Sequence, residues 1–276
     1  MTPSVQAFFD DATNTVTYLV SDPATRAAAI IDPVLDYDAE SGRASTAAAD
    51  AVLAEAKARG LEVVWLLETH AHADHLSAGD YLRGLTGAPI GVGERIVEVQ
   101  ATFAERFGVP VPASTVFDHL FADGDRFRLG GFEVEVLHTP GHTPACVSYR
   151  IGDAVFVGDT LFMPDFGTAR ADFPGGDATT LYRSIQRLLS LPPETRVFVG
   201  HDYLPKDGRG DFRWETTIGA ERDGNIHVGG GATEADFTAM RTARDATLPP
   251  PTWILPARSA PTVVSQRKSP RPSLGR

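Results

Sequence analysis

The sequence predicts an α/β fold, two mixed sheets flanked by helices, from three observations. Four short apolar runs read as buried strands, and each leads into residues that bind metals: residues 63–67 into His70, 134–137 into His138 and His142, 154–157 into Asp159, and 196–199 into His201. Segments of helical composition alternate with these runs. A chain of 276 residues, 42% hydrophobic, can bury a substantial core as one large domain over residues 1–256.

In chain order, residues 16–20 (Val-Thr-Tyr-Leu-Val) and 27–31 (Ala-Ala-Ala-Ile-Ile) form a hairpin, because Asp22-Pro23-Ala24-Thr25 supplies turn chemistry between them. A helix follows from about 45 to 59 and Gly60 stops it. Residues 78–85 and 94–107 read as further helices, the second ending before Gly108-Val109-Pro110. Between them, Gly91-Val92-Gly93 lacks the third glycine of a dinucleotide loop and reads as the end of a strand. Residues 134–137, 145–149, 154–157 and 196–199 supply later strands, and the helix over 181–189 ends at Pro192-Pro193. No repeat of solenoid period is visible.

Residues 70–75, His-Ala-His-Ala-Asp-His, place three imidazoles and one carboxylate in six positions after a buried strand. Neutral imidazole and carboxylate suit zinc and iron, and helix-flanked sheets bind ligands at the carboxyl ends of their strands. The recurrence of His142, Asp159 and His201 at three more strand ends makes one shared site, and Gly158 and Gly200 let backbone approach it closely.

The order His-x-His-x-Asp-His, Gly-His-Thr, Gly-Asp-Thr, Gly-His-Asp over roughly residues 15–205 resembles the metallo-β-lactamase superfamily. The flanks at 31–37 (Ile-Asp-Pro-Val-Leu-Asp-Tyr), 68–78, 167–176 (Gly-Thr-Ala-Arg-Ala-Asp-Phe-Pro-Gly-Gly) and 201–203 (His-Asp-Tyr) are similar to the persulfide dioxygenases, or sulfur dioxygenases, in the branch that includes the bacterial β-lactamase-like hydrolases of sulfide detoxification.

The resemblance implies an αββα sandwich with the metal at one edge of the sheets. It implies one Fe(II) per chain on His72, His142 and Asp159, two imidazoles and a carboxylate that leave positions open for O2 and for glutathione persulfide or a related persulfide, giving sulfite and thiol. His70, Asp74, His75 and His201 then orient ligands and bound substrate. Asp74, His201 and Tyr203 are the catalytic candidates, Tyr203 as a hydrogen-bond donor or as a packing aromatic. Arg170 is the candidate for a glutathione carboxylate, against a loop-holding pair with Asp165 or Asp172. A dinuclear thioester hydrolase of glyoxalase II type uses the same groups otherwise, with His70, His72 and His142 on one zinc or iron, Asp74, His75 and His201 on a second, and Asp159 bridging. An idle thiol-sensing module is the third reading, and the intact ligands argue against it.

The remaining features bound the function. Cys146 is the only cysteine and reads as a small buried hydrophobe; no intrachain disulfide can form, which suits a cytoplasmic location. His138 reads as a neighbour of the ligands, and His119 and His227 as ordinary surface residues. A net charge of −11 argues against nucleic acid or anionic membrane as partner, and no apolar run approaches a membrane span or a secretory signal. A homodimer is expected. Residues 257–276 carry +5, leaving −16 on 1–256, and read as a basic disordered tail. The final turn and strand that the resemblance implies are missing after about Leu248, as for a frameshifted or divergent end, or a tail for an anionic partner.

Overall fold

The computed structural model describes residues 2–108, 110, 117–206 and 208–249; the expected tail over 257–276 lies outside them. The elements are β1 (Ser4–Asp10), β2 (Thr15–Ser21), β3 (Ala27–Ile31), β4 (Val34–Asp38), β5 (Arg43–Ser45), α1 (Ala47–Ala58), β6 (Glu62–Leu67), β7 (Leu76–Ser77), α2 (Gly79–Thr86), β8 (Ile90–Gly93), α3 (Ile96–Phe107), β9 (His119–Phe121), β10 (Arg126–Leu129), β11 (Phe132–His138), β12 (Val147–Ile151), β13 (Ala154–Gly158), α4 (Ala178–Leu189), β14 (Arg196–Val199), β15 (Glu215–Thr217), α5 (Ile218–Gly224) and α6 (Glu234–Asp245).

Two six-stranded mixed sheets form, ordered β1-β2-β3-β6-β8-β9 and β10-β11-β12-β13-β14-β15, with a small β5-β4-β7 sheet beside them. Alternation along each strand sorts its side chains into layers, since successive residues point to opposite faces. In β2 and β3, Val16, Tyr18, Val20, Ala29 and Ile31 enter a core shared with Val136, Tyr149, Phe156 and Phe198 of the other sheet. Their neighbours Leu19, Ala28 and Ile30 face Val52, Leu53 and Leu82 of α1 and α2 instead. On the second sheet Val155, Val157, Val197 and Val199 face Leu181, Leu188 and Phe237 of α4 and α6. The layers are therefore helix, sheet, sheet, helix, as the resemblance implied.

Local chemistry explains the boundaries. The β2–β3 hairpin pairs Tyr18 with Ile31, and Asp22 holds its turn by accepting from Ala24 N–H at 2.9 Å and Thr25 hydroxyl at 2.8 Å. α4 starts three residues earlier than the apolar periodicity indicated, because Asp177 caps it by accepting from Thr180 N–H at 2.7 Å. The strand expected over 145–149 begins at Val147; Cys146 sits in the turn before it, buried, and burial pushes its thiol up to about 12. No helix among the described residues is long and apolar enough to cross a membrane.

The sheets are stitched together at one edge. Val16 N–H donates to Gly200 carbonyl at 2.9 Å, Val147 N–H to Thr69 carbonyl at 2.8 Å, Tyr18 hydroxyl to Val199 carbonyl at 2.6 Å and Tyr149 hydroxyl to Glu68 carbonyl at 2.9 Å. These cross-sheet bonds fix the segments that carry the histidines.

Candidate metal centre

The loop after β6 brings His70, His72, Asp74 and His75 to this edge, the loop after β11 brings His142, and the ends of β13 and β14 bring Asp159 and His201. Close backbone approach is required at two glycines. Gly158 has φ +48 and a Cβ there would lie 2.3 Å from Thr69 Oγ1, while a Cβ on Gly200 would lie 2.7 Å from Asp159 Oδ1.

Donor atoms of His70, His142 and Asp159 lie within 4.8 Å of one another, and those of His72, Asp74 and His75 form a second such set. His70 Nε2 and His142 Nε2 are each 3.7 Å from Asp159 Oδ2. That is too long for a hydrogen bond, yet two ligands with bonds of ~2.1 Å to a common ion can be up to about 4.2 Å apart. His70 Nε2, His72 Nδ1, His75 Nε2 and Asp159 Oδ1 are buried with no hydrogen-bond partner. Orphaned buried polar atoms are costly, and their clustering here fits a cation.

The His70, His75 and His142 rings are pinned through Nδ1 with Nε2 left to face inward, and His201 is pinned the same way with its Nε2 beside Asp74 and Asp159. His142 Nδ1 donates to Arg170 carbonyl at 2.8 Å, His75 Nδ1 to Leu76 carbonyl at 2.9 Å and His201 Nδ1 to Asn14 carbonyl at 3.1 Å. His70 Nδ1 meets Thr69 Oγ1 at 2.9 Å; that hydroxyl donates onward to Asp32 Oδ2 at 2.8 Å, so the ring is the donor. This is how proteins set the tautomer of metal-binding histidines.

The donor set that the structure gathers differs from the one the resemblance implies. His72 does not join His142 and Asp159; His70 does. His72 Nε2 turns away to Asp32 Oδ1 at 3.2 Å and Glu68 Oε2 at 3.1 Å. Asp32 reaches it from the end of β3 with φ +51, also accepting from Thr69 N–H at 2.7 Å, and Glu68 accepts from Ser77 hydroxyl. The other ring nitrogen, Nδ1, is buried without a partner.

Burial, helped by the His72, His142 and His201 rings, holds His70 well below the usual imidazole range, and burial with His72 brings His75 down to about 4. Both are neutral and keep a lone pair. Burial also opposes protonation of His72 and His201, but Asp32 and Glu68 outweigh it at His72, and Asp159 and Asp74 at His201, so both are raised. Burial raises Asp159 and Glu68.

Asp74 Oδ2 lies 3.2 Å from His201 Nε2, whose other neighbour is Asp159 Oδ1 at 3.3 Å. Tyr203 stacks on His201 with centroids 5.2 Å apart and also packs on Phe162 and Phe166, so it is both beside the site and part of an aromatic cluster. The Arg170 guanidinium is bidentate to Asp172 at 2.6 and 2.7 Å and donates to Pro249 carbonyl at 2.8 Å; the site uses its carbonyl. His138 Nε2 donates to Pro144 carbonyl at 2.8 Å and lies outside both donor sets. His227, expected at the surface, is half-buried and its Nδ1 accepts from Thr168 N–H at 3.0 Å. Asp32 and Glu68 were missed as site residues, although both ended strand-like runs beside the ligand motif. A cleft of about 550 Å³ reaches Asp74 and His75, lined also by Asp10, Thr13, Tyr37 and Arg43.

A two-sheet sandwich with histidines and aspartates gathered at one edge defines a metal-dependent protein class. The chain belongs to the metallo-beta-lactamase superfamily, whose family model matches residues 10–201. A beta-lactamase hydrolase-like protein of Xylella fastidiosa is 52% identical over 93% of this chain, which spans 59% of that protein's length. Glyoxylase B2 of Dictyostelium discoideum is 47% identical, covering 87% of this chain and 83% of its own. The human mitochondrial persulfide dioxygenase ETHE1 is 34% identical, covering 72% and 68%. The crystal structure of ETHE1 from Myxococcus xanthus superimposes with a TM-score of 0.74 at 33% identity, over 93% of this chain and 97% of that one.

Proposed function

We propose that this chain is a mononuclear iron persulfide dioxygenase acting on glutathione persulfide or a related low-molecular-weight persulfide. The observation that carries the reading is the convergence of His70, His142 and Asp159, two pinned imidazoles and one carboxylate, the donor set of non-heme Fe(II) oxygenases. Likeness to the human and Myxococcus ETHE1 proteins supports it. His70, His142 and Asp159 would hold the Fe(II), which would supply the activation of O2 and binding of the persulfide sulfur. One persulfide, one O2 and one water give one thiol, one sulfite and two protons.

The chain's own groups prepare the site. Burial, with the Asp159 and Asp74 carboxylates, raises the Tyr203 hydroxyl well above its usual range, so it stays protonated and donates toward an anionic sulfur or oxygen. His201 Nε2, between Asp74 and Asp159, holds a proton beside the reacting atoms. The cleft beside Asp74 and His75 gives the thiol carrier room.

The second reading, a dinuclear thioester hydrolase, is favoured by the orphaned His72 Nδ1 and His75 Nε2 and by likeness to Glyoxylase B2. Metal analysis of anaerobically purified protein with parallel assays separates them. One iron per chain, O2 consumption and sulfite from glutathione persulfide are expected; two tightly bound zincs, fast thioester cleavage and no O2 uptake would overturn the proposal.

A further inference from the structure

His142 is held by a backbone carbonyl, and what holds that carbonyl lies outside the matched domain. The Arg170 carbonyl that accepts from His142 Nδ1 at 2.8 Å belongs to the same peptide unit as Ala171 N–H, which donates to Asp245 Oδ2 at 2.8 Å. In a trans peptide the C=O and N–H point in opposite directions, so the plane is clamped by the ring on one side and the carboxylate on the other. A charged acceptor on the N–H also polarises the C=O and strengthens it as an acceptor. Asp245 is 6% exposed, at the end of α6, and its other oxygen accepts from Arg241, which is 2% exposed and donates to Thr168 carbonyl at 3.3 Å. The same loop is tied at Gly167 carbonyl by Asn225 at 3.0 Å and at Thr168 N–H by His227. All four bracing residues lie beyond the matched residues 10–201.

We propose that Asp245 is a positioning residue for the metal: through the 170–171 peptide it sets the tautomer and orientation of His142 and keeps its Nε2 facing Asp159. It does by way of one peptide what a carboxylate bonded directly to a metal-binding histidine does elsewhere. The inference rests on His142 being a metal ligand.

The test measures Zn(II) affinity of the apoprotein by competition with a chromophoric chelator, alongside its melting temperature. Asp245→Asn keeps an acceptor for Ala171 N–H and removes the charge, so affinity should fall about 10-fold, the low end of the range for groups behind a ligand, and Asp245→Ala should lose more. Thr233→Ala, which removes the α6 cap that accepts from Asp236 N–H, should lower the melting temperature and leave affinity unchanged. Equal weakening by Thr233→Ala and Asp245→Asn, or a lower melting temperature with unchanged affinity in Asp245→Asn, overturns the relay. Nitrogen NMR of Zn(II)-loaded wild-type protein needs no variant: His142 should carry its proton on Nδ1, and an Nε2–H ring also overturns it. His142→Ala binding Zn(II) as wild type does would instead sink the metal-centre reading.

Discussion

His70 and His72 stand two residues apart with ring centroids separated by 4.2 Å, yet their alanine variants should fail in different ways. His72 Nε2 lies between the carboxylates of Asp32 and Glu68, both 3% exposed. Removing one partner of a buried charged group costs roughly 3–5 kcal/mol. At about 2–4 °C per kcal/mol for a chain of this size, His72→Ala apoprotein should melt roughly 6–20 °C lower. The lower half of that range is expected, because burial already raises Glu68 and lets it take up a proton. His70 is backed by the neutral Thr69 hydroxyl, so His70→Ala should cost the apoprotein about 1–2 kcal/mol, as an ordinary buried truncation does. Metal binding inverts the order. His70→Ala should empty the site, whereas His72→Ala should weaken the first ion by about 10- to 100-fold, as for groups behind a ligand. Apoprotein calorimetry and chelator competition on both variants decide it. A His72→Ala protein that melts as wild type and binds no metal, beside a His70→Ala protein that keeps its metal, would refute the reasoning.

Four other outcomes are expected. Gly158→Ala combines a left-handed φ of +48 with a Cβ 2.3 Å from Thr69 Oγ1; strain and overpacking together should cost roughly 2–5 kcal/mol, and an unchanged melting curve and metal content would contradict it. Burial raises Glu221 to about 8, so its contribution to stability is present below about pH 4.5 and lost as pH rises through 8. Glu221→Gln escapes that loss, and its melting advantage should grow from pH 5 to pH 8; a flat or reversed trend counts against it. Arg170→Ala removes a bidentate pair with Asp172, so it should lower the melting temperature and change KM for charged and uncharged persulfides by similar factors, a selective KM rise for glutathione persulfide showing instead that the guanidinium engages substrate. Any second ion must displace the His201 proton held between Asp74 and Asp159, so its affinity should rise up to about tenfold per pH unit below the raised His201 pKa; calorimetric Zn(II) titrations with a pH-independent second event would oppose this.

The fold was legible wherever apolar runs were long and alternated with helical segments. β2, β3, β6, β13, β14 and α1 through α4 all fall where the sequence places them, within a few residues. The missed elements are short or lie at edges. β1 flanks the first sheet with no fully buried residue, and β9 and β15 are three residues each. α5 and α6 escaped because their sequences are polar and their buried groups include Glu221, Arg241 and Asp245, which no apolar periodicity reveals.

The gathering of His70, His142, Asp159 and His201 followed from their places after successive strands, but which ring of the His-x-His pair faces Asp159 did not. On a turning backbone either ring can point inward, and the choice depends on what stands behind each. Asp32 settles both at once: Oδ2 accepts from the Thr69 hydroxyl that in turn accepts from His70 Nδ1, and Oδ1 meets His72 Nε2. Asp32 comes from the neighbouring parallel strand, paired through Ile31 and Leu67, so its proximity is a fact of sheet register rather than of motif spacing. Asp245 is still more remote, 74 residues from the peptide it holds. A motif of this kind specifies which donors meet, and the carboxylates arriving from other elements specify which of their atoms face the ion.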